Sequence, residues 1–228
     1  MEMPHSSGQM SRVTRTKETA KVSYDRMSRW YDLLAGTSEW KFVKVGLDLL
    51  RADEGESILE IGYGTGKAIL ALANAVGDGG RVYGIDLSEG MHQIASERVK
   101  AAGLSDRVEL RCGDGAKLPY EDHRFNAVFT SFTLELFDTL EIPIVLLECM
   151  RVLRHDGRLV VVSMAKKDVT GFAVRLYEWA HERIPNYVDC RPIFVSQSMS
   201  DAGFDIVECI EMKMWGLPVD AVRSRIRP

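Results

Sequence analysis

The chain has 228 residues, of which 46% are hydrophobic and 27% are charged, and its net charge at pH 7 is −4. A chain of this kind can bury one sizeable core, and its acidic balance argues against nucleic acid as a partner. It contains no run of about 18 apolar residues, the length that spans a bilayer, and its start lacks the apolar stretch of a secretory signal. We therefore expect a cytoplasmic protein with a disordered arm at residues 1–10 and one domain at 11–228.

The four cysteines are scattered along the chain without a C-x-x-C pair. This spacing argues against a zinc site and against a disulfide framework, and it is typical of a reducing compartment. We expect four buried free thiols. They are Cys112, Cys149, Cys190 and Cys209.

Residues 11–52 are predicted to form a helical lid with an apolar face. Between residues 11 and 31 there are six Lys or Arg residues and only two acids, and Trp40 and Phe42 follow nearby. A basic amphipathic helix with aromatic residues can lie on an anionic membrane surface. The alternative is a lid helix whose basic face is solvated. The first interpretation predicts peripheral contact with the inner membrane surface.

From residue 57 to residue 164, short strands rich in Val and Ile alternate with helical patterns. We expect Ser88 to cap one helix and Gly103 to end it, and Pro143 fits only the first turn of another. The alternation predicts βαβ units and a parallel sheet. Strands are predicted at 57–61, 81–86, 107–112, 125–132 and 157–164, and helices at 67–76, 88–103 and 140–154.

The last part of the chain continues the pattern less regularly. A helix is predicted at 170–184, a loop at 184–192, and a second helix near 194–202. Strands are predicted at 203–215 and 218–226, and we expect the later one to form an edge of the sheet.

The first predicted strand runs into "LEIGYGTG", a turn with glycines at positions 62, 64 and 66. A plain turn needs one glycine, whereas several glycines let a ligand approach the backbone, and open parallel sheets bind ligands at the carboxyl ends of their strands. The G-x-G-x-G spacing differs from the G-x-G-x-x-G of dinucleotide sites. Asp86 ends the second predicted strand and Asp114 follows the third, where carboxylates can accept hydrogen bonds from a ribose and from an adenine amino group.

In this order the motifs resemble those of class I S-adenosylmethionine-dependent methyltransferases. The resemblance covers residues 57–164 and includes "VYGIDLSEGM", "CGDGAKLPYEDHRFNAVF" and "LLECMRVLRHDGRLVVVSM". The flanking "SYDRMSRWYDLL" and "DAGF" resemble the ubiquinone and menaquinone C-methyltransferases. The resemblance implies an α/β fold: a Rossmann-like, seven-stranded, mostly parallel sheet with helices on both faces and its last strand antiparallel. It also implies an N-terminal helical lid and a helical insert after the fifth strand.

The resemblance further implies S-adenosylmethionine as the cofactor, and we expect no metal. The glycine turn would bracket the methionine and ribose parts, and Tyr24 and Tyr31 would lie on the lid. Tyr63 stands where the family has a small residue, and we expect it to point away from the sheet. The implied cofactor-binding residues are Tyr24, Tyr31, Gly62, Gly64, Thr65, Gly66, Asp86, Leu87, Asp114, Gly115 and Ser131.

The residues after the fourth predicted strand indicate which methyl acceptors fit this chain. The quinone enzymes carry an Arg-Asn pair there, whereas this chain has "SFTLELFD" at 131–138, with neither residue. Glu135 or Asp138 could act as a base. The alternatives are that Glu135 is an acid at the start of a helix and that Asp138 is a helix N-cap. His181 in the predicted insert helix is a further candidate base. The loop at 184–192 is predicted to contact the acceptor through Tyr187, Asp189, Cys190 and Arg191.

The predicted function is in-line methyl transfer from S-adenosylmethionine to a small, apolar or lipid-like acceptor. A quinol ring carbon, a phospholipid amine and a small thiol all remain open as acceptors. One alternative is a non-catalytic S-adenosylmethionine-binding protein with a regulatory or assembly role. Another is a nicotinamide oxidoreductase, which the glycine spacing disfavours.

Overall fold

The computed structural model describes residues 36–166 and 191–228. The helices are α1 (Gly36–Leu50), α2 (Lys67–Ala75), α3 (Glu89–Ala101), α4 (Ile142–Val152) and α5 (Val195–Asp201), with a 3-10 helix at Leu134–Leu136. The strands are β1 (Ser57–Ile61), β2 (Arg81–Asp86), β3 (Val108–Cys112), β4 (Phe125–Ser131), β5 (Leu153–Met164), β6 (Phe204–Met214) and β7 (Leu217–Ile226).

The seven strands form one sheet in the order β3-β2-β1-β4-β5-β7-β6. Strands β1 to β5 pair in parallel, and β7 runs antiparallel to both of its neighbours. The predicted mostly parallel α/β sheet is confirmed. The expectation that 218–226 forms an edge is wrong, because β7 lies between β5 and β6. Its side chains Val219, Ala221 and Val222 are fully buried, as an inner strand requires.

Two apolar cores cover the two faces of the sheet. On one face, Phe42 of α1, Ile69 of α2 and Ala95 of α3 pack in a single cluster with alternate strand residues. On the other, Leu146 of α4 and Met199 of α5 pack with the strand residues in between. Because both faces are covered, the central strands are buried along nearly their whole length.

Local signals placed most element ends correctly. The Ser88 hydroxyl accepts a hydrogen bond from the Met91 N–H at 3.1 Å, and Gly103 follows the end of α3 with φ +69°. Pro143 lies in the first turn of α4. The helix predicted to run to residue 154 ends earlier, and β5 begins at Leu153 instead of 157. The reason is pairing of Leu153 with Phe125 on β4, next to a shift of register, which outweighs the helical pattern.

Residues 36–50, which we placed in the lid, form a helix that lies on the sheet. A Cβ on Gly46 would lie 2.3 Å from a methyl group of Val162, so the glycine allows close contact between helix and strand. Phe42 is 2% exposed and belongs to the core, so it is not available to a membrane.

Several predictions fall outside the described residues. In the part of the chain that is described, no helix is long and apolar enough to cross a membrane. The expectation of buried thiols holds for Cys149, but Cys112 and Cys209 are exposed because they lie on the outer strands β3 and β6. Outside the described ranges lie the arm at 1–10, the basic segment, Tyr24, Tyr31, the helix at 170–184, His181, Tyr187, Asp189 and Cys190.

Candidate methyl donor site

A pocket opens at the carboxyl ends of β1 and β4, where the strand order reverses from one half of the sheet to the other. Open α/β sheets bind their ligands at such a switch point. Ser131, predicted to line the site, lies on the wall of the pocket. The lining residues are Glu39, Trp40, Val43, Glu60, Gly62, Tyr63, Gly64, Thr65, Lys67, Ala68, Ser131 and Phe132.

The glycine turn is held tightly on two sides. Gly62 and Gly66 have positive φ angles of +73° and +80°, which residues other than glycine rarely adopt. A Cβ on Gly62 would lie 2.2 Å from the Thr133 hydroxyl oxygen, and one on Gly66 would lie 2.9 Å from the Cβ of Ala95. These two glycines therefore let the turn pack against the loop after β4 and against α3.

Gly64 differs, because its exposed side faces the pocket. Its N–H donates to a carboxylate oxygen of Asp86 at 2.9 Å. A Cβ there would meet no atom within 4 Å, although φ is +52°. The backbone at Gly64 thus leaves space that a ligand can fill by approaching closely.

We predict that Gly64→Ala weakens S-adenosylhomocysteine binding by about tenfold or more, about 1.4 kcal/mol, because the new methyl group would enter this space. Gly103→Ala is the matched control. Gly103 also has positive φ and open surroundings but lies at the end of α3. Both changes should lower the free energy of unfolding by about 1–2 kcal/mol. Calorimetric titration and denaturant unfolding separate the two effects, and equal affinity in both variants would contradict the placement.

Asp86 links the glycine turn to the start of α3. Besides the bond from Gly64, its other carboxylate oxygen accepts a hydrogen bond from the Ser88 N–H at 2.9 Å. Leu87 stands between them, half-buried, and its carbonyl accepts from the Cys112 thiol at 3.4 Å. The ribose role of Asp86 stays a prediction.

Asp114 lies in the loop after β3, beside the end of β2. Its Oδ1 accepts a hydrogen bond from the Ala116 N–H at 2.9 Å, so the side chain stabilises its own loop. A Cβ on the next residue, Gly115, would lie 2.8 Å from a methyl group of Ile61. The loop therefore packs close to the end of β1, at the same edge of the sheet as Asp86.

Thr65 and Tyr63 brace the glycine turn against α3. The Arg98 guanidinium donates to the Thr65 carbonyl at 2.7 Å and to its hydroxyl at 2.9 Å. The Tyr63 hydroxyl hydrogen-bonds with His92 Nδ1 at 2.9 Å, and burial raises the pKa of this phenol. The expectation that Tyr63 points away from the sheet is wrong. Its ring lies over Gly84 of β2, where a Cβ would be 2.6 Å from the ring.

Sequence reasoning missed Glu60, the acid inside β1. Its side chain is 1% exposed and borders the pocket, and its Oε2 has no hydrogen-bond partner among the described residues. Burial and the nearby charge of Asp86 raise its pKa well above the usual value. A buried acid of this kind suits a cationic ligand. S-adenosylmethionine carries an ammonium and a sulfonium, so Glu60 and the open backbone of Gly64 fit that cofactor.

Of the candidate bases, the described residues include Glu135 and Asp138. Glu135 lies in the 3-10 helix and is fully buried, and burial raises its pKa to about 7. Glu135 is an acid in the first turn of the 3-10 helix, as its alternative role predicts. The alternative role of Asp138 as an N-cap is wrong, because α4 is capped at Glu141. Arg191, predicted to contact the acceptor, is buried and donates to the Phe137 carbonyl at 2.7 Å.

Comparison with known proteins agrees with this geometry. The methyltransferase domain family matches residues 58–157. The chain is 26% identical to a demethylmenaquinone methyltransferase of Bacillus cytotoxicus over 230 residues, which covers 90% of this chain and 94% of the relative. It is 32% identical to the enzyme of the same name from Geobacillus stearothermophilus over 166 residues, 73% of this chain and 68% of the relative.

Among solved structures, that of the [4+2]-cyclase SpnF matches with a TM-score of 0.74 and 18% identity, over 93% of this chain and 97% of that one. This likeness shows the shared fold alone. The glycine turn, the acid that ends β2, the acid after β3 and the methyltransferase relatives agree with one another. The chain therefore belongs to the class I S-adenosylmethionine-dependent methyltransferases, in the family that includes the demethylmenaquinone methyltransferases.

Proposed function

We propose that this methyltransferase acts on a small apolar acceptor, and that the acceptor is a quinol-type ring. The observation that carries the proposal is the similarity to demethylmenaquinone methyltransferases over most of the chain. The pocket supports it, because Trp40, Val43 and Phe132 give its wall an apolar and aromatic character that suits a flat ring.

The described residues would act mainly by positioning the reactants. When bound, S-adenosylmethionine supplies an electrophilic methyl group. Glu60 would hold a cationic end of the donor, and the backbone at Gly64 would fix its position. Ser131 and Phe132, at the end of β4, line the pocket in which the two reactants would meet. Holding two reactants in line supplies a large part of the rate increase of a displacement reaction.

The absence of the Arg-Asn pair between residues 131 and 138 separates this chain from the pattern of quinone C-methyltransferases. The acceptor contacts must therefore come from other residues. A phospholipid amine and a small thiol need less activation than a ring carbon does. They are the competing outcomes of the test.

The test incubates the purified full chain with methyl-labelled S-adenosylmethionine and a whole-cell lipid extract containing reduced quinones. Label in the organic phase that co-migrates with a quinone supports the proposal. Label in phospholipid, or only in aqueous thiols or amines, contradicts the quinol acceptor. No label, with S-adenosylhomocysteine still binding, would favour the non-catalytic alternative.

The proposal also predicts that the basic segment at residues 12–29 binds anionic lipid. An acceptor that resides in the bilayer would be reached from its surface, and a basic amphipathic segment can bind anionic lipid. Sedimentation with vesicles containing anionic lipid should therefore deplete the full chain from solution, and a neutral vesicle is the control. Equal sedimentation with both kinds of vesicle would mean that the segment does not recognise anionic lipid and would favour its alternative role as a lid.

A further inference from the structure

We propose that Tyr63 is a positioning residue for the methyl donor, and that its hydroxyl group fixes the glycine turn relative to the other segments predicted to bind the donor. This role goes beyond the proposed function and does not depend on which acceptor is methylated. Tyr63 stands between Gly62 and Gly64 and borders the pocket, although its side chain is only 3% exposed. The small residue that the resembled family has at this position lacks a hydroxyl group that could reach a neighbouring element.

Gly84 on β2 makes room for the Tyr63 ring. A Cβ on Gly84 would lie 2.6 Å from a ring carbon of Tyr63, so the ring can occupy this place only beside a glycine. The same Cβ would lie 2.7 Å from a methyl group of Leu110 on β3. The ring therefore extends from the end of β1 across β2 and brings its hydroxyl group to β3.

The Tyr63 hydroxyl group makes hydrogen bonds to two further elements. It donates to the Arg111 carbonyl on β3 at 3.3 Å, and its oxygen lies 2.9 Å from Nδ1 of His92 on α3. A hydroxyl group has one hydrogen, which here goes to the carbonyl, so His92 Nδ1 carries the hydrogen of the second bond and donates it. These two hydrogen bonds are called the Tyr63 bridge below.

The Tyr63 bridge connects the three segments that carry the predicted donor-binding residues. The glycine turn follows β1, and α3 begins shortly after Asp86. Arg111 lies near the end of β3, shortly before Asp114. The backbone adds one further connection, because the Gly113 N–H donates to the Asp86 carbonyl at 2.8 Å. The bridge therefore sets where the glycine turn lies relative to Asp86 and Asp114.

Fixed relative positions favour a ligand that has two binding parts. S-adenosylhomocysteine has an amino-acid part, predicted to bind at the glycine turn, and an adenosine part, predicted to bind near Asp86 and Asp114. Once one part is bound, the affinity of the other depends on whether its site is already held within reach. Loss of the bridge should therefore weaken binding of the whole ligand more than binding of adenosine alone.

The test compares the wild-type full chain with Tyr63→Phe, which keeps the ring and removes the hydroxyl group. Calorimetric titration should show that S-adenosylhomocysteine binds about tenfold more weakly to Tyr63→Phe, because two hydrogen bonds of the turn are lost. The affinity for adenosine, measured by competition with S-adenosylhomocysteine, should change less than about twofold.

Tyr83→Phe is the matched control. Tyr83 lies on β2, but its ring packs on the opposite face of the sheet, against Tyr120 and Phe125. Its hydroxyl group accepts a hydrogen bond from Arg124, so this variant also loses a side-chain hydrogen bond. Tyr83→Phe should bind S-adenosylhomocysteine and adenosine as the wild type does.

Variants of His92 test the bridge from the side of α3. His92→Leu removes the N–H donor and should weaken S-adenosylhomocysteine binding about threefold or more. His92→Asn keeps an N–H group near the position of Nδ1 and should retain most of the affinity. The double variant with Tyr63→Phe and His92→Leu should bind no more weakly than Tyr63→Phe alone, because both changes remove the same bridge.

Unchanged S-adenosylhomocysteine affinity in Tyr63→Phe would overturn the proposal. Equal weakening of S-adenosylhomocysteine and adenosine would also overturn it, and so would equal losses in His92→Leu and His92→Asn. If Tyr63→Phe does not fold, the comparison of the two His92 variants decides the matter. None of these measurements involves an acceptor, so failure of the bridge leaves the quinol proposal standing, and failure of the quinol proposal leaves the bridge standing.

Discussion

Replacing Asp86 by alanine is expected to weaken S-adenosylhomocysteine binding by about tenfold or more, about 1.4 kcal/mol of binding free energy. Two losses combine. The carboxylate accepts hydrogen bonds from the N–H groups of Gly64 and Ser88, so its removal loosens the turn that approaches the ligand. The predicted bonds to the ribose hydroxyls are lost as well, and bonds to a charged group contribute about 1.5–3 kcal/mol each.

Isothermal titration calorimetry measures this change directly. Asp201→Ala is the control, because Asp201 is an exposed acid at the end of α5, away from the glycine turn. The control should bind the ligand as the wild type does. If Asp86→Ala binds with unchanged affinity while it folds normally, the ribose does not lie at the end of β2.

The second large effect is a pH dependence of stability caused by Glu135. Its pKa is raised from 4.5 to about 7 by burial in the folded state. Between these values the unfolded chain ionises at this position while the folded chain stays protonated, so rising pH favours unfolding. The free energy of unfolding should therefore fall by about 3 kcal/mol from this residue as pH rises from 4.5 to 7, with no further loss above.

The measurement is the difference in unfolding free energy between the wild type and Glu135→Gln, obtained by urea titration across this range of pH. The difference removes the contributions of all other groups. Relative to the wild type, Glu135→Gln should gain about 3 kcal/mol of unfolding free energy as the pH rises to neutral. The difference between Glu141→Gln and the wild type should not change with pH. A flat difference for Glu135→Gln would mean that the buried carboxyl group keeps an ordinary pKa.

Signals that are local in the sequence predicted much of the fold. Ser88, Gly103 and Pro143 marked helix ends through capping and backbone preferences, which depend on a few adjacent residues. The position of β7 between β5 and β6 depends instead on pairing across the sheet. The sequence of 218–226 did not reveal that this strand has a neighbour on each side.

Part of the candidate site was also predictable. The glycine spacing, the acid that ends β2 and the acid after β3 indicated the edge of the sheet at which the pocket opens. The orientation of Tyr63 was not predictable, because it depends on the missing side chain of Gly84 on a neighbouring strand. Glu60 left one signal, an acid inside the apolar run "SILEI". Such an acid normally faces solvent, and its burial follows only once helices cover both faces of the sheet.

The central claim is that the carboxyl ends of β1 and β4 form a methyl donor site. Calorimetric titration of the wild type with S-adenosylhomocysteine, and separately with NAD, tests it most directly. We predict saturable binding of one S-adenosylhomocysteine per chain and no binding of NAD. Binding of NAD, or binding of S-adenosylhomocysteine that Gly64→Ala and Asp86→Ala both leave unchanged, would contradict the claim.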